Sequence, residues 1–210
     1  MYWTPAEIWP DSEVFIIGGG PSIKDLDLSL IKNKRVIGVN DAYKLGDWID
    51  VCFFGDYFWY TGIEAREFDG HRKALADFGG LKVTVSEKPI EDKGILRVRR
   101  DTLRGGISKD KNVICWNRNT GIAAINLALL FGCKRIILLG FDMKVDNSGN
   151  SNWHINKKNP ANPRLYPIFV HYARMVRDAI DLNYPDVEVI NANTDSAMEV
   201  FTKKKYEELV

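Results

Sequence analysis

At 210 residues and 45% hydrophobic content, the chain can bury one substantial core, and a single domain spanning 1–210 is the expectation. A formal net charge of +1 without a long basic stripe argues against a nucleic-acid partner. The longest apolar stretch, 122–131, is interrupted by Asn126 and too short for a transmembrane segment. Cys52, Cys115 and Cys133 are odd in number and widely spaced, which offers neither a disulfide framework nor a zinc knuckle. With an N-terminal stretch lacking the basic and apolar regions of a secretory signal, this predicts a cytoplasmic protein.

The run VFII at 14–17 predicts a short strand buried on both faces. Gly18, Gly19 and Gly20 end it abruptly. Pro21 then fixes φ, and Ser22 is placed to cap a helix through Leu26, Leu30 and Ile31, with Asp25 and Asp27 in its first turn. Further buried strands are expected at 35–39, leaving through Asn40 and Asp41, and at 51–54, leaving through Gly55 and Asp56. Helical segments follow at 57–68 and 71–78, then a strand at 81–85. The polar segment at about 86–112 reads as an insertion or ragged surface ribbon, with one alternating piece at 95–98. Asn119 and Thr120 cap a helix at 121–131 that Gly132 stops, and RIILL at 135–139 is another buried strand, closed by Gly140, Phe141 and Asp142. A loop rich in Asn, Lys and Pro, expected to be flexible, covers about 143–165; a helix at 168–182, a strand at 187–190 and a closing helix at 202–209 complete the chain. Buried strands alternating with helices predict an α/β fold, doubly wound and mostly parallel (Rossmann-like), with helices on both faces.

In such sheets the ligand lies outside the carboxyl ends of the strands, near the switch in strand order. Every strand exit here is glycine or polar: Gly18 to Gly20, Asn40-Asp41, Gly55-Asp56 and Gly140 to Asp142. Three consecutive glycines cost roughly 0.5–1 kcal/mol each relative to alanine, more than a plain turn requires. Ahead of a helix start they make an anion site, which predicts a bound nucleotide. The dinucleotide fingerprint fails at Ile23, where a third glycine belongs, and no Gly-Lys-Ser/Thr follows, so the Walker pattern fails too. Asp41, about 20 residues on, keeps a nicotinamide dinucleotide as the weaker option. Asn119, Thr120 and Gly121 alone are a plain N-cap; facing the same edge they would hold the other side of the nucleotide. Asp25-Leu26-Asp27 superficially matches a metal-binding D-x-D, but acids in a first helical turn are explained by the dipole.

Of the histidines, His171 falls in an amphipathic helix and reads as structural, while His154 overhangs the site and is the candidate general base. Arg97, Arg99, Arg100 and Arg104 read as a solvated basic patch, with an anionic acceptor as the alternative.

GGGPSIKDLDLSLI, the following Asn40, and NTGIAAINLALLFGCKRIILLGFDM resemble the pattern of bacterial CMP-sialic-acid-dependent sialyltransferases and their relatives, the 6-hydroxymethylpterin diphosphokinase domain and many phage and prophage proteins. The phage branch is nearest, through Asn152-Trp153-His154 after the GFDM strand and Ser196, Ala197, Phe201, Glu207, Glu208 and Leu209 near the end. That branch has histidine where Asn152 stands here. The resemblance covers about 14–43 and 119–209. It implies that Gly18, Gly19 and Gly20 lie along the donor phosphate, that Asn40 holds the nucleoside, and that Asn119, Thr120 and Gly121 hold base and ribose. It makes His154 the base that deprotonates an acceptor hydroxyl, and Tyr166 and Tyr172 candidates to steady the leaving phosphate. A CMP leaving group carries one phosphate, so N–H groups and hydroxyls suffice and no tightly bound cofactor is expected. The diphosphokinase alternative transfers diphosphate from ATP and would need Mg²⁺ on Asp41, Asp56 and Asp142. A third alternative is a non-catalytic nucleotide-binding module. The expected partner is a nucleotide or nucleotide-sugar, with a homo-oligomer possible.

Overall fold

A computed structural model describes residues 1–62, 68–154 and 162–210. Its strands are β1 (Glu13–Ile17), β2 (Val36–Val39), β3 (Val51–Phe54), β4 (Leu81–Thr84), β5 (Ile95–Arg97), β6 (Arg99–Asp101), β7 (Val113–Cys115), β8 (Arg135–Leu139), β9 (Glu188–Asn191) and β10 (Thr202–Lys203). The α-helices are α1 (Tyr57–Tyr60), α2 (Phe68–Asp77), α3 (Thr120–Leu130) and α4 (Tyr166–Asn183). Side chains alternate across each strand, so β1 sends Val14 and Ile16 to one layer and Phe15 and Ile17 to the other, all four fully buried. The first layer is closed by α3 and α4, through Ile122, Ile125, Val176 and Ile180; the second by α2 and short 3-10 turns, through Leu75, Phe78, Ile31 and Tyr206. Burial on both faces is why these strands are continuous apolar runs.

Eight strands form one sheet in the order β10-β9-β8-β1-β2-β3-β4-β5, and every pairing in it is parallel. The fold is therefore the expected α/β, Rossmann-like one. Sequence order runs outward from β1 to β5, then returns to lay β8 on the other side of β1, with Glu13 opposite Arg135 and Ile17 opposite Leu139. That reversal between β1 and β8 is the switch point. No helix among the described residues is long and apolar enough to cross a membrane.

Four local expectations are corrected. The helix after the glycines is two separate 3-10 turns, Pro21–Asp25 and Leu28–Ile31. Asp27 causes the break, because its carboxylate takes the Ser29 amide at 3.0 Å and hydroxyl at 2.6 Å, which restarts the chain. The 86–112 segment is not a free ribbon: β5 is the edge strand of the main sheet, and β6 pairs with β7, a strand the sequence reading missed. The closing helix is β10 followed by one 3-10 turn, Tyr206–Glu208; Thr202 and Lys203 extend the sheet beside β9, and the Tyr206 hydroxyl donates to the Asp27 carbonyl at 2.9 Å. The helix expected at 57–68 is only α1 within the described residues, and 63–67 lie outside them, as do 155–161 of the loop at 143–165.

Candidate functional site

A cavity of about 270 Å³ opens at the carboxyl ends of β1 and β8, at the switch point. Gly18, Gly19 and Gly20 line it after β1, and Asn119, Thr120 and Gly121 line it at the start of α3; Asn40, Asp56 and Asp142 line it from the exits of β2, β3 and β8. The glycine turn and the α3 cap thus belong to one cavity. Ser22, Asp41 and His154 do not line it.

The glycine turn is held against the exit of β8. Gly18 N–H donates to the Leu139 carbonyl and Gly20 N–H to the Gly140 carbonyl, each at 2.8 Å. Ser22, expected to cap a helix, instead donates its hydroxyl to Asp142 at 3.0 Å, and the first turn has no side-chain cap. The Asn193 amide donates to the other Asp142 oxygen at 2.7 Å. Burial pushes the Asp142 carboxyl above its ordinary value, opposed by the Ser22 hydroxyl and amide and by Asn193. The anion beside the start of this turn is therefore the protein's own carboxylate. Gly19 faces the other way: its carbonyl accepts from Trp153 N–H at 2.9 Å and, in the orientation that satisfies the amide, from Asn152 at 3.3 Å. These bonds strap residues 152–153 across the turn, and Asn152 lines the cavity.

The opposite wall rests on buried asparagines. Asn117 accepts from Gly106 N–H at 2.8 Å and donates to the carbonyls of Gly106 and Cys115. Asn126 in α3 accepts from the amides of Ser108 and Cys115 at 3.1 and 3.2 Å. Between β7 and α3 the chain reverses through left-handed residues, Asn117 (φ 54°) and Arg118 (φ 50°), and delivers Asn119, whose side chain caps α3 by accepting from Ile122 N–H at 2.9 Å. The Thr120 and Gly121 amides, first in the helix, have no intrahelical acceptor. Removing the cap in Asn119→Ala is expected to lower the unfolding free energy by about 1 kcal/mol. A urea midpoint equal to the wild type's would refute that support.

Three of the five non-glycine residues found with left-handed φ among the described residues, Asn40, Arg118 and Met143, line the cavity, the placement expected where backbone strain serves a site. Two of its buried polar atoms, Asn40 Oδ1 and the Tyr166 hydroxyl, have no hydrogen-bond partner among the described residues, which suits groups that meet a ligand. Burial and the nearby Asp142 push the Tyr166 phenol up. Tyr172, the other tyrosine of interest, does not line the cavity. Lys144 lines it too and is bonded to Asp195 at 2.6 Å.

His154 stands beside the cavity, two residues past Asn152, with its ring edge-on to Trp153 and Nε2 3.9 Å from Asp41 Oδ2. Burial pushes the imidazole below its ordinary value; Asp41 partly offsets this and Lys44 adds to it. For Asp41, burial works upward, but Lys44 at 2.6 Å, His154 and the Trp59 indole outweigh it and hold the carboxyl below its ordinary value. Asp27 caps the second 3-10 turn and does not sit in the first turn of one helix, as the sequence suggested; His71 is buried in α2 and His171 is exposed on α4. Of the arginines, Arg100 is not solvated: its side chain is 14% exposed and its guanidinium lies 3.9 Å from the Trp116 ring centroid. Arg97 bonds the carbonyls of Ser86 and Glu87.

Trp116, Arg118, Lys144, Ser151 and Phe169 also line the cavity and escaped the sequence reading. For Trp116 and Arg118 the signal was the polar exit of β7, Trp116 to Asn119, hidden because that strand has only three residues.

No protein-family model and no curated protein matches the chain. Solved structures do match. The MAf glycosyltransferase from Magnetospirillum magneticum AMB-1 superposes with a TM-score of 0.65 at 16% identity, over 100% of this chain and 36% of that one. The likeness is one of fold. The chain therefore spans about a third of that enzyme's length. The sialyltransferase CstII from Campylobacter jejuni, solved with the substrate analogue cytidine-5'-monophosphate, superposes with a TM-score of 0.54 at 14% identity, over 92% of this chain and 85% of CstII. A CstII variant in complex with CMP gives 0.50 at 14% identity, over 91% and 86%.

Proposed function

We propose that the protein is a sialyltransferase-like glycosyltransferase that moves a sugar from a CMP-type donor to an acceptor hydroxyl. The observation that carries this reading is the single cavity shared by the glycine turn and the α3 cap at the β1/β8 switch point. Solved glycosyltransferases share the fold, and CstII was solved with CMP. Asn40, with its unpartnered oxygen, meets the nucleoside, and Asn119, Thr120 and Gly121 hold ribose and base. The donor phosphate lies along Gly18, Gly19 and Gly20, within reach of the Tyr166 hydroxyl. His154 takes the proton of the acceptor hydroxyl as its oxygen attacks the anomeric carbon. The bond to the CMP phosphate breaks, and N–H and O–H donors stabilise the departing charge.

The diphosphokinase reading fits these residues less well. Asp41 is paired with Lys44 outside the cavity lining, and both Asp142 oxygens accept from protein donors. CMP at 100 times its Kd should raise the unfolding free energy by about 2.7 kcal/mol without added metal, read as a shift in thermal midpoint. A shift with ATP and Mg²⁺ alone would support diphosphate transfer instead, and one with NAD alone a dehydrogenase.

A further inference from the structure

We propose that Trp116 is the stacking platform for the base of the bound nucleotide, an assignment that rests on the CMP-type reading above. Trp116 follows directly on β7 and lines the cavity beside Asp56 and Asn119. Its ring is fixed from outside the cavity wall. The Arg100 guanidinium lies over it at 3.9 Å from the centroid, donates to the Gly55 carbonyl at 3.3 Å and faces Glu87 at 3.7 Å. Gly55 packs so close that an added Cβ would fall 2.0 Å from Cζ3 and 2.2 Å from Cη2 of the indole. Only glycine at 55 leaves room for the ring in this position. Two segments thus cooperate on one side chain, the exit of β3 through Gly55 and β6 through Arg100.

A tryptophan serving only as core filler needs no charged group on its face. Burying Arg100 against it costs desolvation, which works to lower the guanidinium's affinity for its proton. The arrangement instead presents a flat, immobilised ring in the wall of a cavity also lined by Asn40, Asn119 and Thr120. Planar rings stack offset on such a surface, and the interaction tolerates any base because every base has a π-face. Hydrogen bonds from the neighbouring walls, with the unpartnered Asn40 oxygen among them, would then choose between bases. Clamping the ring in advance removes the ordering cost from the binding step.

Calorimetric titration with CMP and with ribose 5-phosphate, which lacks a base, tests the platform. Trp116→Ala should bind CMP roughly tenfold to hundredfold more weakly, the range set by losing one base–aromatic stack, and leave ribose 5-phosphate affinity unchanged. Trp116→Phe, which keeps a ring and guards against misfolding, should hold CMP affinity within a few-fold while losing the CMP-induced quench of tryptophan emission expected of the wild type. CMP affinity unaltered in Trp116→Ala, equal losses for both ligands, or a wild-type quench persisting in Trp116→Phe would overturn the platform alone. Failure of the wild type to bind CMP would overturn the donor reading together with it.

Discussion

Gly20→Ala is expected to remove about 3 kcal/mol of folding free energy, at the upper end for one added methyl group. The reason is space and not backbone conformation. Gly20 sits at φ −62° and ψ 151°, extended backbone that any residue adopts. An alanine Cβ there would fall 1.7 Å from Asp142 Oδ2 and 2.5 Å from the Gly140 carbonyl oxygen. Asp142 cannot yield, because Ser22 and Asn193 hold its two oxygens. Urea unfolding measures the loss, and Gly79→Ala, with nothing within 4 Å of the added carbon, is the control expected to stay within about 0.5 kcal/mol of the wild type. Removing the obstacle in Gly20→Ala/Asp142→Ala should cost less than the sum of the single changes, since contacting residues couple. Additive losses, or a Gly20→Ala protein as stable as the wild type, would mean that the glycine turn does not pack on Asp142.

If the proposed glycosyl transfer with His154 as general base is right, His154→Ala is expected to lower turnover by roughly 10²- to 10⁴-fold, the usual contribution of a positioned general base. CMP affinity should be unaffected, because His154 does not line the cavity that would hold the nucleotide. Comparable losses in turnover and CMP binding would assign His154 to the nucleotide site instead. The pH dependence carries a definite sign. A general base works in its neutral form, and burial already pushes His154 below the ordinary histidine value. The rate should therefore rise with pH along a limb lying at lower pH than a free imidazole would give. Asp41 opposes the downward shift by favouring the imidazolium. Asp41→Asn should move the limb lower still, and a limb that moved upward would contradict the pairing.

How far the sequence revealed this molecule varied with the physics of each segment. β1, β2, β3 and β8 were legible because the buried part of a strand covered on both faces must be apolar, and VFII, VIGV, VCFF and IILL are. The cap at Asn119 was legible because its chemistry is local. Ser22 was misread because it has the residue type of a cap, whereas its partner is Asp142, 120 positions away in sequence. The 3-10 turns escaped because Asp27 competes with the helix for the Ser29 amide, a contest that apolar periodicity does not register. β6 and β7 escaped because three residues carry no period, and with them went Trp116 and Arg118. Buried Asn117 and Asn126 were invisible for the opposite reason: asparagine ordinarily reads as surface, and only the loop carbonyls and amides around them explain their place.

The pairing of β1 with β8 also governs how the chain can acquire its shape during synthesis. Within this chain β1 is synthesised before every other strand of the sheet, and β2 can join it soon after. Its other edge, Glu13 to Ile17, must wait for Arg135 to Leu139, roughly 120 residues later and on the order of 6–24 s at ordinary elongation rates. Throughout that interval a strand that is apolar from Val14 to Ile17 keeps a row of unmatched amides and carbonyls. Nascent chains halted before residue 135 should therefore be bound by chaperones or aggregate, and release should coincide with the arrival of β8.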